Sequence, residues 1–279
     1  MRKLRILRLL LAMFALLALT ACFLDFTGLA AAWFGFLPRL QFGPSILALS
    51  VTTLVAVLAV TFLFGRVYCS TLCPLGIFQD VLIAVRRLCR VPFRASSQVA
   101  ADSKTYWTKE SVRFGFLALF FGGGFLGLHF AWLEPYAIYG RAVSVGLAPL
   151  YRLGNNELAA WAERHASYAF HTVEVVFPAV SVMVASVGVL VLIAALAVWK
   201  GRFWCNTVCP IGTVLGYAAN VAVLKPKLDV SSCVKCGQCE KVCKARCIDV
   251  STGRIDLTKC VACFDCGAVC RKGALTWSK

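Results

Sequence analysis

The sequence has few charged residues, and acidic residues are especially scarce. Only 15% of the 279 residues are charged, whereas 60% are hydrophobic and the mean hydropathy is +0.78. So little charge excludes an ordinary soluble domain of this length. Acidic residues number 13 against 29 basic ones, which leaves a net charge of +16. We attribute this excess to basic residues that flank membrane segments and attract anionic lipid, rather than to nucleic-acid binding.

Four apolar stretches reach the roughly 20 residues that a helix needs to cross a bilayer. They are Leu7–Ala30, Ile46–Phe64, Phe114–Leu133 and Val173–Trp199. The first lacks a small-residue cleavage site after a short apolar core, which favours a retained helix over a removed signal peptide. A lipid anchor at Cys22 is the weaker alternative, because Phe and Leu follow that cysteine. The sequence therefore predicts an α-helical integral membrane protein with four transmembrane helices.

Basic residues in the connecting segments predict how these helices are oriented. Before the C-terminal region, Lys and Arg gather on the side of the N-terminus, and the opposite side has Arg39, Arg141, Arg152 and Arg164. Because cytoplasmic loops carry the excess of positive charge, both termini are predicted to face the cytoplasm. The expected location is a bacterial cytoplasmic (inner) membrane, crossed several times, with the lipid bilayer as a partner and no nucleic acid.

One cysteine motif, which we call the cysteine phrase, occurs twice in the sequence. The sequence "GRVYCSTLCPLG" runs from Gly65 to Gly76, and "GRFWCNTVCPIG" runs from Gly201 to Gly212. Each copy follows an apolar stretch, and each places two thiols four residues apart with a proline after the second. The recurrence predicts two parallel repeats.

The domain organisation follows from these repeats and from a change in composition near Pro226. The first repeat covers about residues 1–100 and the second about residues 101–226. Together they are predicted to form the membrane domain, 1–226. The chain then becomes polar, and residues 227–279 are predicted to form a small separate domain.

The C-terminal region has two cysteine runs with the same spacing, C-x2-C-x2-C-x3-C. The first run is Cys233, Cys236, Cys239 and Cys243, and the second is Cys260, Cys263, Cys266 and Cys270. In two-cluster ferredoxins, three cysteines of a run bind one cluster and the fourth binds the other. We therefore assign one [4Fe-4S] cluster to Cys233, Cys236, Cys239 and Cys270, and a second to Cys260, Cys263, Cys266 and Cys243. The fold predicted here is a small α+β ferredoxin domain with two [4Fe-4S] clusters.

Other uses of these cysteines fit less well, and the runs depart from the usual phrase in two ways. Zinc sites normally take two CxxC pairs, and a cytoplasmic location disfavours disulfides. Lys244 and Arg271 stand where proline usually follows the fourth cysteine, and their charge is expected to make the clusters less reducing. The additional thiol, Cys247, is interpreted as a small buried side chain rather than a ninth ligand.

With these motifs in place, the chain resembles the membrane-bound ferredoxin-type proteins of the NapH/MauN family, which are related to the NosR and RdxA/CcoG groups. The resemblance covers essentially the whole length, through four spans, both C-x-x-x-C-P phrases and the two-cluster domain. It implies electron transfer linked to the membrane quinol pool, often in service of a periplasmic reductase. The acceptor differs among members, so the resemblance does not identify the partner.

The repeated phrase has three interpretations. Cys69 and Cys73, like Cys205 and Cys209, are spaced to share one helix face. Pro74 and Pro210 each suit the first position of a new helix, so each pair is expected to mark a helix–helix junction. If the repeats pack about a pseudo-twofold axis, the four thiols converge and bind a third iron–sulfur cluster near the cytoplasmic membrane edge. Dithiol redox chemistry and a purely structural role are the alternatives.

A quinol site needs a proton acceptor beside an apolar cleft. The polar candidates near the expected outer membrane face are Asp25, His129, Glu134, His171 and Glu174. Each has a structural alternative: Asp25 could be neutralised by Arg39 or Arg141, and His129 could hydrogen-bond between helices. The glycine run at Phe121–Gly127 is interpreted as close helix packing, because no nucleotide-fold strand precedes it.

The function predicted from the sequence is membrane-bound iron–sulfur electron transfer between the quinol pool and a partner redox protein or periplasmic reductase. The chain would act as an electron-transfer (quinol dehydrogenase) subunit rather than as a stand-alone enzyme. One alternative is a transmembrane conduit fed by a cytoplasmic ferredoxin or flavodoxin, an acidic partner suited to the basic C-terminal domain. Another is a metal-centre maturation or redox-sensing protein of the RdxA/CcoG type.

Overall fold

The computed structural model of the chain describes residues 1–48, 50–89, 110–125, 133–165, 167 and 170–278. Most of the first 220 residues in these ranges are helical. In chain order the helices are α1 (Arg2–Leu24), α2 (Leu29–Phe34), α3 (Phe36–Arg39), α4 (Phe42–Leu47), α5 (Val51–Phe64), α6 (Tyr68–Thr71), α7 (Pro74–Leu88), α8 (Glu110–Phe125), α9 (Pro135–Ala142), a π-helical turn (Val143–Leu147), α10 (Ala148–Arg164), α11 (Val180–Lys200), α12 (Phe203–Thr207) and α13 (Pro210–Asn220).

Two of these helices are long and apolar enough to cross a membrane. They are α1, with 23 residues, and α11, with 21. The apolar helix α5 has only 14 residues, and α8 has 16 residues within the described ranges. The prediction of four transmembrane helices is therefore not confirmed. Membrane association is supported only weakly by two apolar helices, since other kinds of helix have the same length and composition.

Local backbone chemistry explains why the predicted spans are longer than the helices. The stretch Ile46–Phe64 is divided, because α4 ends at Leu47 and α5 begins at Val51. The stretch that begins at Val173 becomes helical only at Val180, and Pro178 disfavours helix in the residue before it. Helix α1 ends at Leu24, where Asp25 adopts an extended backbone.

The helices pack around α7, which lies against α1, α9 and α11. Its contact with α1 is made where Ile77 packs against two small residues, Ala12 and Ala15. Further along α1, Ala18 and Leu19 pack with Leu37 and Leu72. The core of the bundle therefore includes the segment that carries the first copy of the cysteine phrase.

The C-terminal region is built from short elements on two small sheets. They are β1 (Lys225–Leu228), α14 (Gln238–Val242), β2 (Ile248–Asp249), β3 (Arg254–Ile255), α15 (Asp265–Val269) and β4 (Leu275–Ser278). Strand β1 pairs antiparallel with β4, and β2 pairs antiparallel with β3. In the sequence, α14 lies between β1 and β2, and α15 lies between β3 and β4. The two helices pack against each other. We call this unit, from Lys225 onward, the C-terminal domain.

The C-terminal domain contacts the first turns of α1. Arg5 Nε lies 2.9 Å from Asp265 Oδ1, and α1 packs against α15. The beginning of α1 and the C-terminal domain therefore lie at the same end of the bundle.

Candidate iron–sulfur sites

Both copies of the phrase form a helix–helix junction, as the sequence predicts. Cys69 lies in α6 and Cys205 in α12, whereas Cys73 and Cys209 are the capping residues before α7 and α13. These two helices begin at Pro74 and Pro210. The prediction that the two cysteines of each pair lie on one helix face is wrong. The second cysteine of each pair has an extended backbone, with ψ of 114° and 118°, so the pair straddles a corner.

The four thiols of the two copies lie together in one buried group, which we call the four-thiol site. Each cysteine is 3% or 5% exposed. Burial raises the pKa of Cys73, and the charges of its three neighbours, Cys69, Cys205 and Cys209, raise it further. Cys209 is affected in the same way by burial and then by Cys205. Since these effects act only at short range, both pairs contribute to one site.

Hydrogen-bond donors surround the sulfur atoms of the four-thiol site. Gly212 N lies 3.3 Å from Cys209 Sγ at the start of α13, and Gln79 Nε2 lies 3.3 Å from Cys205 Sγ. Arg66 Nη2 lies 3.9 Å from Cys69 Sγ. These donors act against the increase in pKa that burial causes at Cys205 and Cys209. They stabilise the thiolate, which is the form that binds metal.

Two buried arginines of the repeated phrase cross from one copy to the other. Arg66, of the first copy, donates to Cys205 O at 3.2 Å. Arg202, of the second copy, donates to Cys69 O at 2.8 Å. Both side chains are fully buried, and the contacts are reciprocal. The two copies are thus related by pseudo-twofold packing at the level of individual hydrogen bonds.

A buried ion cluster lies beside the four-thiol site and reaches the C-terminal domain. Asp80 on α7 pairs with Arg8 of α1, with Arg202 at 2.8 Å and with Lys244 at 3.2 Å. Lys244 also pairs with Asp265 at 3.1 Å. Burial raises the pKa of Asp80, but Arg202, Lys244 and Arg8 outweigh it and lower the pKa overall. A lysine in place of the usual proline thus ties the C-terminal domain to α7.

In the C-terminal domain, a cavity is lined by the four cysteines that the sequence assigns to the second cluster. They are Cys243, Cys260, Cys263 and Cys266. Cys243, the fourth cysteine of the first run, therefore lies with three cysteines of the second run. Cys247 also lines this cavity, is 2% exposed and lies with its sulfur 3.5 Å from Cys243 Sγ. Its hydrogen bond lowers the pKa of Cys243 to about 7, which favours the thiolate.

The cysteines assigned to the first cluster are less deeply buried. Cys239 is buried, Cys233 and Cys270 are half-buried, and Cys236 is exposed. Burial raises the pKa of Cys239 to about 11, and nearby Cys233 and Cys236 contribute to the increase. The first three members of this set therefore lie close together.

The candidates for a quinol site do not form one group in the described part of the chain. Asp25 accepts hydrogen bonds from Thr27 and from backbone N–H groups up to Ala31, so it joins α1 to α2. His171 is exposed, with its ring 6.3 Å from that of Phe26. Glu174 is exposed as well. His129 lies outside the described residues.

Glu134 is the candidate with an unusual environment. It is 5% exposed and caps α9 by accepting hydrogen bonds from Tyr136 N and Ala137 N. Burial raises its pKa to about 7. Burial also raises the pKa of Tyr68, and the charges of Cys73 and Glu134 raise it further. The acid therefore lies near the four-thiol site, next to the tyrosine that precedes Cys69.

These sites can be tested for their fit to an iron–sulfur cluster. Around the four-thiol site, two buried guanidinium atoms, Arg66 Nε and Arg202 Nη2, have no hydrogen-bond partner among the described residues. A buried donor without a partner is costly, so an additional acceptor is expected there. Cluster sulfides are such acceptors, and four thiolates are the ligand set of a cluster. Within the described ranges, no three His, Cys, Asp or Glu side chains are placed to hold a single metal ion.

The sequence reasoning missed several residues around the four-thiol site. Arg66 and Arg202 belong to the phrase, and Gln79 and Asp80 follow its first copy. The spacing of the phrase indicates a role for its cysteines and prolines but not for these four residues. The recurrence of an arginine at the same place in each copy was the available signal.

Comparison with known families links the repeated phrase to iron–sulfur chemistry. A family described as a 4Fe-4S binding domain matches residues 46–92 and again residues 181–230. Each matched segment contains one copy of the phrase, and both segments end before Cys233.

Two relatives span most of the chain at low identity. An uncharacterized protein of Methanocaldococcus jannaschii is 26% identical over 217 residues, which are 78% of this chain and 66% of the relative. An Escherichia coli protein named "Putative electron transport protein YccM" is 23% identical over 215 residues, 73% of this chain and 48% of the relative. The chain spans just under two thirds and about half the length of these relatives. No solved structure matches the chain significantly.

These comparisons support the coarser part of the sequence interpretation. Iron–sulfur binding and electron transport are supported by the matched 4Fe-4S domain and by the named relative. The narrower resemblance to the NapH/MauN family is not confirmed.

Proposed function

We propose that this chain is a membrane-bound iron–sulfur protein that carries electrons between the quinol pool and a partner redox protein. The observation that carries the proposal is the convergence of four buried thiols from two separate 4Fe-4S segments. Cys69, Cys73, Cys205 and Cys209 would hold one cluster. Dithiol exchange needs only one pair, and it would leave the paired arginines beside the site unexplained.

The C-terminal domain would hold two further [4Fe-4S] clusters. The cavity lined by Cys243, Cys260, Cys263 and Cys266 supports the second of them. Cys233, Cys236, Cys239 and Cys270 would hold the first. When bound, such clusters give and take single electrons, and surrounding charges and hydrogen bonds set how readily they do so.

The membrane arrangement belongs to the proposal as well. Helices α1 and α11 would cross a bacterial inner membrane, and both termini would lie on one side of it because α1 begins beside the C-terminal domain. The basic residues on that side indicate that it is the cytoplasm. The four-thiol site would then lie between the C-terminal domain and Glu134. Exposed Cys236 would place the first cluster nearest to solvent, where a second redox protein can approach.

The test of the third cluster uses the full chain, purified anaerobically in detergent. It is expected to hold more iron and acid-labile sulfide than two [4Fe-4S] clusters contain. Changing Cys69→Ser together with Cys205→Ser should remove only that excess. The matched control is Cys22→Ser with Cys89→Ser, which changes two free cysteines that belong neither to the four-thiol site nor to the C-terminal runs. This control should keep the excess iron and sulfide. Wild-type protein with iron for two clusters only, and four titratable thiols, would contradict the proposal.

Quinol oxidation is favoured by the environment of Glu134. A general base works best with a pKa near the operating pH, and burial raises this pKa to about 7. Replacing Glu134→Gln is expected to slow cluster reduction by a quinol analogue by about a hundredfold or more. The control Glu174→Gln changes an exposed acid and should leave the rate unchanged. Equal rates in wild type and Glu134→Gln would remove Glu134 from the quinol site.

A further inference from the structure

The four-thiol site and the C-terminal domain are connected by the two crossing arginines. Arg66 Nη1 donates to Thr258 O at 2.9 Å, and Thr258 lies two residues before Cys260. The same guanidinium reaches Cys69 Sγ and Cys205 O through Nη2. A single buried side chain therefore contacts both sets of cysteines or their immediate backbone.

Arg202 makes the second connection in a different way. Its backbone N–H donates to Lys244 O at 3.0 Å, and Lys244 directly follows Cys243. Its side chain donates to Cys69 O at 2.8 Å. Arg202 thus links Cys243, which belongs to the first run of the C-terminal domain but is assigned to its second cluster, to the first copy of the phrase.

We propose that Arg66 and Arg202 are positioning residues that couple the four-thiol site electronically to the second cluster of the C-terminal domain. This inference rests on the proposed function. Arg66 reaches from Thr258, two residues before Cys260, to the sulfur of Cys69, and Arg202 reaches from Lys244, next to Cys243, to the backbone of Cys69. Two hydrogen-bonded routes between the centres therefore pass through these arginines. Both arginine side chains are fully buried, which limits the competition of water for their hydrogen bonds.

The transfer itself is a one-electron step. One centre is oxidised as the other is reduced, no bond forms or breaks, and no proton moves. The arginines contribute in two separable ways. Their positive charge stabilises the more negative, reduced state of the nearby cluster, and their planar fork holds several acceptors at once.

Lysine variants separate these two contributions. Arg66→Lys and Arg202→Lys keep the charge, but an ammonium cannot reproduce the planar fork. With this fork Arg66 holds Thr258 O and Cys205 O, and Arg202 holds Asp80 Oδ1 and Cys69 O. We expect each to retain wild-type iron content and potential, and to slow electron transfer from the C-terminal clusters to the four-thiol centre by roughly tenfold or more. Flash reduction of the full chain, followed by optical and paramagnetic detection of each centre, measures this rate.

Neutral variants test the charge. Arg66→Gln is expected to make the four-thiol centre about tenfold less reduced at a fixed ambient potential, which is about 59 mV for one electron. Arg254→Gln is the matched control, because it removes the same charge from an exposed position of the C-terminal domain. It should change neither the potential nor the rate.

The outcomes distinguish this inference from the function on which it rests. A wild-type protein without a third iron–sulfur centre would contradict the proposed function. A third centre whose transfer rate is the same in wild type, Arg66→Lys and Arg202→Lys would overturn the coupling role and leave the proposed function standing.

Discussion

The two copies of the cysteine phrase are alike at the thiols and differ two helical turns later. In both, a short helix carries the first cysteine, the second caps the next helix, and an arginine reaches the backbone of the other copy. Six residues after the proline, the first copy has Asp80 and the second has Gly216. The matching part builds the four-thiol site.

The positions at which the two copies differ, Asp80 and Gly216, contact the C-terminal domain. Asp80 pairs with Lys244, whereas Gly216 lies where a Cβ would meet Thr258 O at 2.4 Å. In the first copy, the charged side chain of Asp80 binds the C-terminal domain. In the second copy, the absence of a side chain at Gly216 allows the backbone of the C-terminal domain to approach closely. The matching residues thus form the symmetric site, and the residue six positions after each proline contributes to the attachment.

The largest effect is expected from breaking the charged attachment. Asp80→Asn would leave Arg8 and Arg202 buried without their carboxylate and Lys244 with Asp265 alone, which costs on the order of 3–5 kcal/mol. Because the surrounding cations lower its pKa below the ordinary value of 3.8, this contribution is fully present above that pH and is lost only as the pH falls below it. Denaturant unfolding at pH 6 and above measures the difference.

The exposed Asp229→Asn, in a turn with Ser231 and Ser232, is the control and should unfold like wild type. A loss below about 1 kcal/mol in Asp80→Asn would contradict the importance of the charged attachment.

The copies also differ in the residue before the first cysteine, which is Tyr68 in one and Trp204 in the other. Tyr68 has Glu134 as a charged neighbour. Because burial raises the pKa of Glu134 from 4.5 to about 7, the protonated acid stabilises the fold below pH 4.5, and this stability is lost as the pH rises through about 7. The loss is on the order of 3 kcal/mol.

Glu134→Gln cannot ionise, so its thermal unfolding should lack this pH dependence. We expect it to match wild type near pH 5 and to be the more stable protein near pH 8. Parallel pH profiles of the two proteins would show that Glu134 is ionised at both pH values.

The sequence predicted the elements that depend on local spacing. The C-x-x-x-C-P phrase and the two C-terminal runs identified the cysteines, and the prolines identified both helix starts. Contacts between distant residues other than the cysteines were not predictable, because periodicity contains no information about them. Arg66 and Thr258 are 192 residues apart, and Arg8 and Asp80 are 72 apart. The prediction of four spanning helices is not confirmed, and hydropathy does not show where α5 and α11 begin.

The smallest effect is expected from adding a methyl group in the second copy. Gly216→Ala places a Cβ against Thr258 O and within 2.9 Å of Arg113 Nη2, so the C-terminal domain must shift, at a cost of about 1–3 kcal/mol. Gly188→Ala is the control, because a Cβ at this position in α11 has nothing within 4 Å, and alanine is the better helix former. Thermal unfolding in detergent should show a loss for Gly216→Ala and no loss for Gly188→Ala. If both variants unfold alike, the close approach of Thr258 to α13 is not what attaches the domain to the second copy.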